Sequence, residues 1–353
     1  MMFFLSMFLV LALLLPVIDI KIRPLLIKKS IFLMLFFFLS LYAGLRGDGV
    51  DDHDYPYYKE VYQTVQEVSV LDIYTTDSDI FFWVMAKISN ALSEEYGFYI
   101  LVFIFALLSV LTKFCSISKA RCDFAIVTIA MCSSYLYLHE FIQIRASLSI
   151  GLVMLASGFV VSKQKKTAFG ILILAVIVHL QSIFSLLILF LDGDYRKQRK
   201  YDIALFGAMF FCLSFSILSQ VFIKIGEFLT SVGIFKAYYL FANAGNSLMP
   251  GIVVFHLLSY IILHYLSNNR SEKYYYYLRL YGLSIFFYWV MPFSSVAAFR
   301  MLEAYMVFAP FCVSFAWKEY KYKLLFILGH TLVLFYFYMY KSSLIDRYFI
   351  LGM

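Results

Sequence analysis

The chain has 353 residues, of which 63% are hydrophobic and 14% charged, and it carries a formal charge of +7. With apolar runs of about 15 to 24 residues recurring from end to end, that balance excludes a soluble domain, whose surface elements alternate polar and apolar faces. There is no P-loop, no nucleotide-binding glycine pattern and no GxSxG, so nothing in the sequence points to the use of ATP or a nucleotide sugar.

Taken in chain order, Met1–Ile18 lacks a basic start and a small-residue cleavage site, and positive charge follows it. It reads as a first transmembrane helix with its N-terminus outside, not as a cleaved leader. Spans are predicted at 2–20 and 30–45. Residues 46–79 then hold nine Asp/Glu against Arg46 and Lys59. Gly47, Gly49 and Pro56 mark an irregular loop there. Asp48, Asp51, Asp52, His53 and Asp54 crowd together, and such groups are the usual general bases for a sugar hydroxyl. Their oxygens also suit a divalent cation, but the spacing is not that of an EF-hand, and no metal or cofactor is assigned. Each Asp alone also fits a plain solvated loop. Tyr55, Tyr57, Tyr58 and Tyr62 can stack on sugar rings or sit at headgroup depth. Ile80–Leu92 is too short to span and carries Lys87, Ser89 and Asn90, which predicts an amphipathic helix lying in the outer interface.

Further spans are predicted at 97–114, 123–139 and 146–162. His139, Glu140, Gln143 and Arg145 fall between the last two. The apolar stretch 167–193 has basic flanks on both sides, and a His179-x-Gln181-Ser182 cluster is costly in mid-lipid. A hairpin turning at 179–182, with arms of about 13 residues, reconciles both facts. Later spans are predicted at 202–222, 249–267, 280–298, 302–317 and 324–341. The Tyr274–Arg279 run reads as an aromatic belt at a membrane boundary, and His256, His264 and His330 read as interior histidines. Arg300 and Glu303 lie between the tenth and eleventh spans. The five cysteines sit in or beside apolar runs with no CxxC, as small core residues do.

Cytoplasmic loops carry the Lys/Arg excess. Six clusters, Lys21–Lys29, Lys113–Arg121, Lys163–Lys166, Arg196–Lys200, Arg270–Arg279 and Lys318–Lys323, hold 20 of the 29 basic residues. Placing them inside gives about twelve spans with both termini outside: an all-α, polytopic integral membrane domain over 1–353. Residues 46–96 then form an extracytoplasmic acidic loop with its interfacial helix. Arg46, Arg145 and Arg300 fall on the external side. Guanidinium groups hold phosphate oxygens bidentately and keep their charge in a partly dry cleft, so the trio predicts an anion site. The competing reading pairs Arg145 with Glu140 and Arg300 with Glu303 as ion pairs at helix ends.

An Arg-Gly pair after the second span is followed by Asp54-Tyr55-Pro56-Tyr57-Tyr58 and by a helix after Asp77-Ser78-Asp79. Next come Ile144-Arg145, Ile177-Val178-His179 with Ser182, and Phe299-Arg300-Met301. This order resembles the Wzy-type O-antigen polymerases, in particular their EpsG-like exopolysaccharide branch. Where that branch reads Arg-Gln, this chain reads Arg145-Ala146-Ser147, with its glutamine at Gln143. The resemblance implies a polymerase in the bacterial inner membrane acting on undecaprenyl-diphosphate-linked oligosaccharides at the outer face, alongside a flippase and a chain-length regulator and without nucleic acid. It assigns Arg145, Arg300 and Arg46 to the diphosphate, with Gln143, Glu303, Tyr55 and Tyr58 near substrate. His179, an Asp among Asp48, Asp51 and Asp54, or Glu140 is the catalytic acid–base group. Competing functions are a transporter or flippase for a lipid-linked or anionic solute, an O-antigen ligase and a membrane acyltransferase.

Overall fold

The computed structural model describes residues 25–44, 54–68, 79–131, 135, 139, 143–231, 249–267, 271–292 and 294–341. Every regular element among them is a helix. They divide into two compact units, Met1–Phe190 with Ile327–Met353, and Leu191–Phe326. Three stretches among the described residues are long and apolar enough to cross a bilayer: Gly97–Ala120, Ile144–Val161 and Ala297–Ala316. The predicted span at 2–20 lies outside the described residues.

In the first unit, α1 (Leu25–Gly44) matches a predicted span. α2 (Asp54–Glu67) is a helix where an irregular loop was expected. Pro56 is tolerated because it falls in the first turn, where its missing N–H would find no intrahelical acceptor anyway. Tyr55, Tyr58, Val61, Tyr62 and Val65 make one buried stripe, the three-and-four spacing of an amphipathic helix. α3 (Ile80–Leu92) follows, then α4 (Gly97–Ala120).

The register of α3 on α4 gives its direction. The Ser89 carbonyl lies beside Gly97, while Phe81 and Phe82 meet Phe105 at ring distances of 5.6 and 5.9 Å. Moving back along α3 therefore moves forward along α4 by the same amount. The helix runs antiparallel against the first half of α4 instead of lying across its end. Its buried side meets Phe105 of α4 and Tyr58 of the α2 stripe.

α5 (Phe124–Ala130) continues into π-helical backbone at Met131, Tyr135 and His139. α6 (Ile144–Val161) then packs on α4. Ser147 bonds Ser109 at 2.7 Å, a Cβ on Gly151 would meet Ser109 and Thr112, and one on Gly158 would meet Lys119. Both numbers rise together, so α4 and α6 are parallel and the chain must return between them over 121–143. Both helices end on a basic residue in the left-handed region, Arg121 (φ 57°) and Lys163 (φ 61°). In each case the next residue's N–H reaches back across the last turn, Cys122 to Ile117 and Gln164 to Phe159, a Schellman closure.

Small residues carry this seam. A Cβ on Gly151 would lie 2.3 Å from Thr112 Oγ1 and 3.2 Å from the Ser109 carbonyl. Gly151→Leu is expected to force the helices apart, destabilising the fold by about 1–3 kcal/mol or more. The thermal midpoint of the purified protein should drop clearly, and by less for Gly151→Ala, because the Thr112 hydroxyl can rotate aside. In the same seam Lys113 is 4% exposed and donates to Ser147 Oγ at 2.9 Å. The sequence groups Lys113 with the basic cluster at the end of the predicted span 97–114, but its side chain is buried in the seam. α4 runs on for seven further residues, which leaves Lys113 between helices and not at their end.

α7 (Lys165–Val178) and a 3-10 helix, Leu180–Leu189, form the predicted hairpin. The chain turns at His179 and returns until the Leu189 carbonyl accepts from Lys165 Nζ at 2.9 Å. At helical rises of about 1.5 and 2.0 Å the arms are roughly 21 and 20 Å long, too short for a core of about 30 Å. Ser182, Ser185 and Ile188, three apart, are the buried row of the 3-10 arm, as three residues per turn require. Its outer face carries Leu180, Ile183, Phe184 and Leu187.

The second unit opens with a 3-10 turn at Tyr195–Lys197 and α8 (Gln198–Ser231), a single 34-residue helix that contains the predicted span 202–222. α9 (Gly251–Leu266) matches prediction. α10 (Glu272–Val290) does not match the predicted span at 280–298. It begins eight residues earlier and stops before Pro292, which can neither donate nor fit a helix interior. Tyr274, Tyr275, Tyr276 and Tyr277 are at most 3% exposed, so they are interior residues and not a boundary belt. α11 (Ser295–Met306) and α12 (Ala309–Ala316) are broken at Val307–Phe308 just ahead of Pro310. α13 (Tyr320–Phe335) closes the described fold and leads into a π-helical turn, Tyr336–Lys341.

Candidate functional site

Three helices of the first unit begin at one place. Asp79 caps α3, Gln143 caps α6 and His179 caps the 3-10 helix, and none of the three side chains bonds its own helix's first turn. Each helix start exposes unpaired N–H groups and the positive end of the backbone dipole. Arg145, the second residue of α6, adds a full charge among them. Its Nη1 lies 3.2 Å from Asp79 Oδ2, and the same oxygen lies 3.3 Å from His179 Nδ1. The three side chains are 13%, 18% and 26% exposed for Arg145, Asp79 and His179, so water is largely, though not wholly, excluded.

Aromatic rings hold the guanidinium from its other sides: Tyr58 at 5.2 Å, Phe82 at 5.6 Å and Tyr57 at 6.0 Å. Such cation–π contacts contribute about 0.5–2 kcal/mol each, depending on desolvation. Burial works to raise the Asp79 carboxyl, but the His179 hydrogen bond, the charges of Arg145 and His179 and the Leu180 N–H outweigh it. The group is held below the usual carboxylate range and stays an anion. Because a carboxylate only accepts, His179 donates through Nδ1–H. In the neutral ring, that tautomer leaves Nε2 with a lone pair able to take a proton.

Register fixes the position of this cluster along α4. Phe82 reaches Phe105 and Ser147 reaches Ser109, which puts it about 12–18 Å along α4 from Gly97 at 1.5 Å per residue. Lys119, Arg121, Lys163, Lys165 and Lys166 gather at the other end of the same helices, where Lys119 donates to Gln164 at 3.0 Å.

Of the residues singled out in sequence, the structure brings Arg145, His179, Tyr57 and Tyr58 together, with Gln143 as the buried cap of α6. Arg145 pairs with Asp79. Tyr55 and Tyr58 are 4% and 5% exposed, Tyr55 edge-on to Phe98 and Tyr58 against Phe82, so neither offers a free ring face to a sugar. Tyr57 is 37% exposed, with the Arg145 guanidinium 6.0 Å from its ring. Asp54 opens α2. His139 is buried and stacks on Tyr135. Arg300 and Glu303 lie three residues apart on α11, in the second unit. Arg46, Asp48, Asp51 and Glu140 lie outside the described residues. The residue missed was Asp79. Its signal was an Asp immediately before an apolar helix, the N-cap pattern.

The second unit holds a separate polar cluster. Arg279 on α10, 3% exposed, donates to the Asp192 carbonyl and carboxylate at 2.7 and 2.6 Å, to the Asp194 carbonyl, and to Gln198 Oε1 at 3.1 Å. Gln198 also meets Tyr260 and Asp202, and Asp202 meets His264 at 3.1 Å. So many bonds to one guanidinium make it a clamp on the Asp192–Asp194 bend. Burial tends to raise the Asp192 carboxyl, yet hydrogen bonds from Lys197 and Arg279 hold it below its ordinary value. No group of three or more His, Cys, Asp or Glu among the described residues is placed to bind a metal ion.

Compared with known proteins, residues 29–351 match a family model described as the EpsG family. No curated protein and no solved structure matches the chain.

Proposed function

The chain belongs to the EpsG family, an exopolysaccharide and O-antigen polymerase-like family, and from that premise we propose that it transfers a growing glycan from undecaprenyl diphosphate to a lipid-linked repeat unit. One observation carries this reading. Three helix starts and Arg145 converge on a point beside the His179 imidazole, whose Nδ1 is turned to Asp79. Helix N-termini and guanidinium groups are what an oligophosphate requires, and a neutral imidazole is what a nucleophilic hydroxyl requires.

The chemistry follows from those parts. An acceptor sugar hydroxyl gives its proton to His179 Nε2 as its oxygen bonds to the donor's anomeric carbon. The bond from that carbon to the diphosphate oxygen breaks, and the electron pair leaves with the lipid diphosphate. Arg145 and the N–H groups at the helix starts stabilise the charge that develops there. Asp79 keeps His179 in the tautomer that accepts at Nε2. Gln143 and Tyr57 contact the sugars, Arg46 is a further candidate for the diphosphate, and Asp48, Asp51, Asp54 and Glu140 are further candidates for the acid–base group.

Sidedness follows from charge. The site lies away from the lysine-rich end of α4, α6 and α7, and the basic end faces the cytoplasm. The reaction then takes place toward the outer leaflet of a bacterial inner membrane, where a flippase delivers substrate and a chain-length regulator sets its extent. Purified protein in proteoliposomes, given undecaprenyl-diphosphate-linked repeat units and no nucleotide, should yield a glycan ladder and free undecaprenyl diphosphate. Unaltered substrate, or substrate merely moved between leaflets, would overturn the reading in favour of a transporter.

A further inference from the structure

We infer that Asp79 is a resident anion in the diphosphate site, and that substrate must displace it from Arg145 to bind. The inference rests on the reading of this cluster as a diphosphate site. Its evidence is what the Asp79 carboxylate does: it takes the Arg145 Nη1 at 3.2 Å, the His179 Nδ1 at 3.3 Å and the Leu180 N–H at the start of the 3-10 helix. These are the donors an incoming phosphate would use. The carboxyl's depressed proton affinity agrees with a firmly held anion.

The arrangement has a consequence for specificity. Displacing Asp79 from Arg145 adds a fixed penalty to the binding of every anion. Exposed hydrophobic side chains, Leu180, Ile183, Phe184 and Leu187, run along the 3-10 helix that starts at the site, and in a bilayer such a face would bring phospholipids to it as well as substrate. A phosphodiester headgroup brings one charge and few acceptor oxygens, and its weak binding does not overcome the penalty. A diphosphate brings more of both and does. Asp79 thus sets a threshold that keeps the site clear of ordinary anionic lipid. When Arg145 turns to the diphosphate, Asp79 can keep its hydrogen bond to His179.

The test is isothermal titration of inorganic pyrophosphate and of dimethyl phosphate into the purified full-length protein, in phosphatidylcholine nanodiscs at fixed ionic strength. Wild type and Asp79→Asn are compared, with Asp79→Ser as a second neutral variant and thermal midpoints as a check on folding. Displacement predicts that both neutral variants bind both anions tighter by a common factor of about ten or more, bringing dimethyl phosphate into the measurable range. No tightening overturns the inference, and so does a gain that grows with ligand charge, since that is the mark of simple repulsion without occupancy. If pyrophosphate binds neither the wild type nor the folded variants, the diphosphate-site reading itself fails.

Discussion

Arg145→Ala is expected to abolish long-chain polymer, with turnover of lipid-linked repeat units falling by about 10²–10³-fold. The guanidinium is a full positive charge at the meeting of α3, α6 and the 3-10 helix, caged by Tyr57, Tyr58 and Phe82 in a site mostly closed to water. A charge there acts through a low local dielectric, so its loss is not made good by solvent. Arg145→Lys keeps the charge but loses the planar fork and the stacking on Tyr58, and should retain a small fraction of activity. Folding is a lesser concern, because Asp79 remains held by His179 and the Leu180 N–H. The measurement is glycan chain length on cells carrying each variant as the sole copy, beside turnover in proteoliposomes. Normal ladders from Arg145→Ala would remove the arginine from the reaction.

His179→Gln should be comparably damaging, by about 10²–10⁴-fold in turnover, for a different reason. Glutamine can still donate to Asp79 but cannot take a proton from the acceptor hydroxyl. Binding of pyrophosphate should therefore survive in His179→Gln while it is lost in Arg145→Ala, which separates the base from the anion holder. The pH dependence can be signed as well. Asp79 has a lowered folded-state proton affinity, so the stability it contributes is fully present above the ordinary carboxylate range, near pH 4. It is lost only as pH falls through a still lower value. Turnover by His179→Gln equal to that of the wild type would assign the base elsewhere, with the acidic segment around Asp48–Asp54 next in line.

Much of the site was legible because lipid makes certain residues conspicuous. A histidine inside an apolar run with basic flanks on both sides required a turn, and the hairpin at His179 is that turn. An arginine just ahead of a long apolar helix stood out for the same reason. The elements that were misread share one property: their local composition suits two environments equally well. The α2 segment is polar enough for a loop, and Pro56 looks like a breaker until its place in the first turn is known. α3 is amphipathic enough to suit an interface, and only the structure shows Phe81 and Phe82 packed against Phe105 of α4. The tyrosines of α10 read as a membrane belt, and the same amphipathic ring fills a packed interior once its hydroxyl is satisfied, as Tyr274 shows by donating to the Leu263 carbonyl.

By itself, then, the sequence determined that this is a helical membrane protein, where its charges gather, where one hairpin turns, and which arginine and histidine stand in costly places. Those conclusions depend on hydropathy and charge along the chain, which need no knowledge of neighbours. Only the tertiary structure decided that Asp79 joins Arg145 and His179 across 66 and 100 residues of chain, that Tyr55 and Tyr58 face inward, and that Arg279 clamps a bend 85 to 87 residues away. Each of these depends on which helices lie side by side, and in what register. That is settled by packing, of which Gly151 against Ser109 is the clearest instance, and packing leaves no periodic mark in a chain that is apolar nearly throughout.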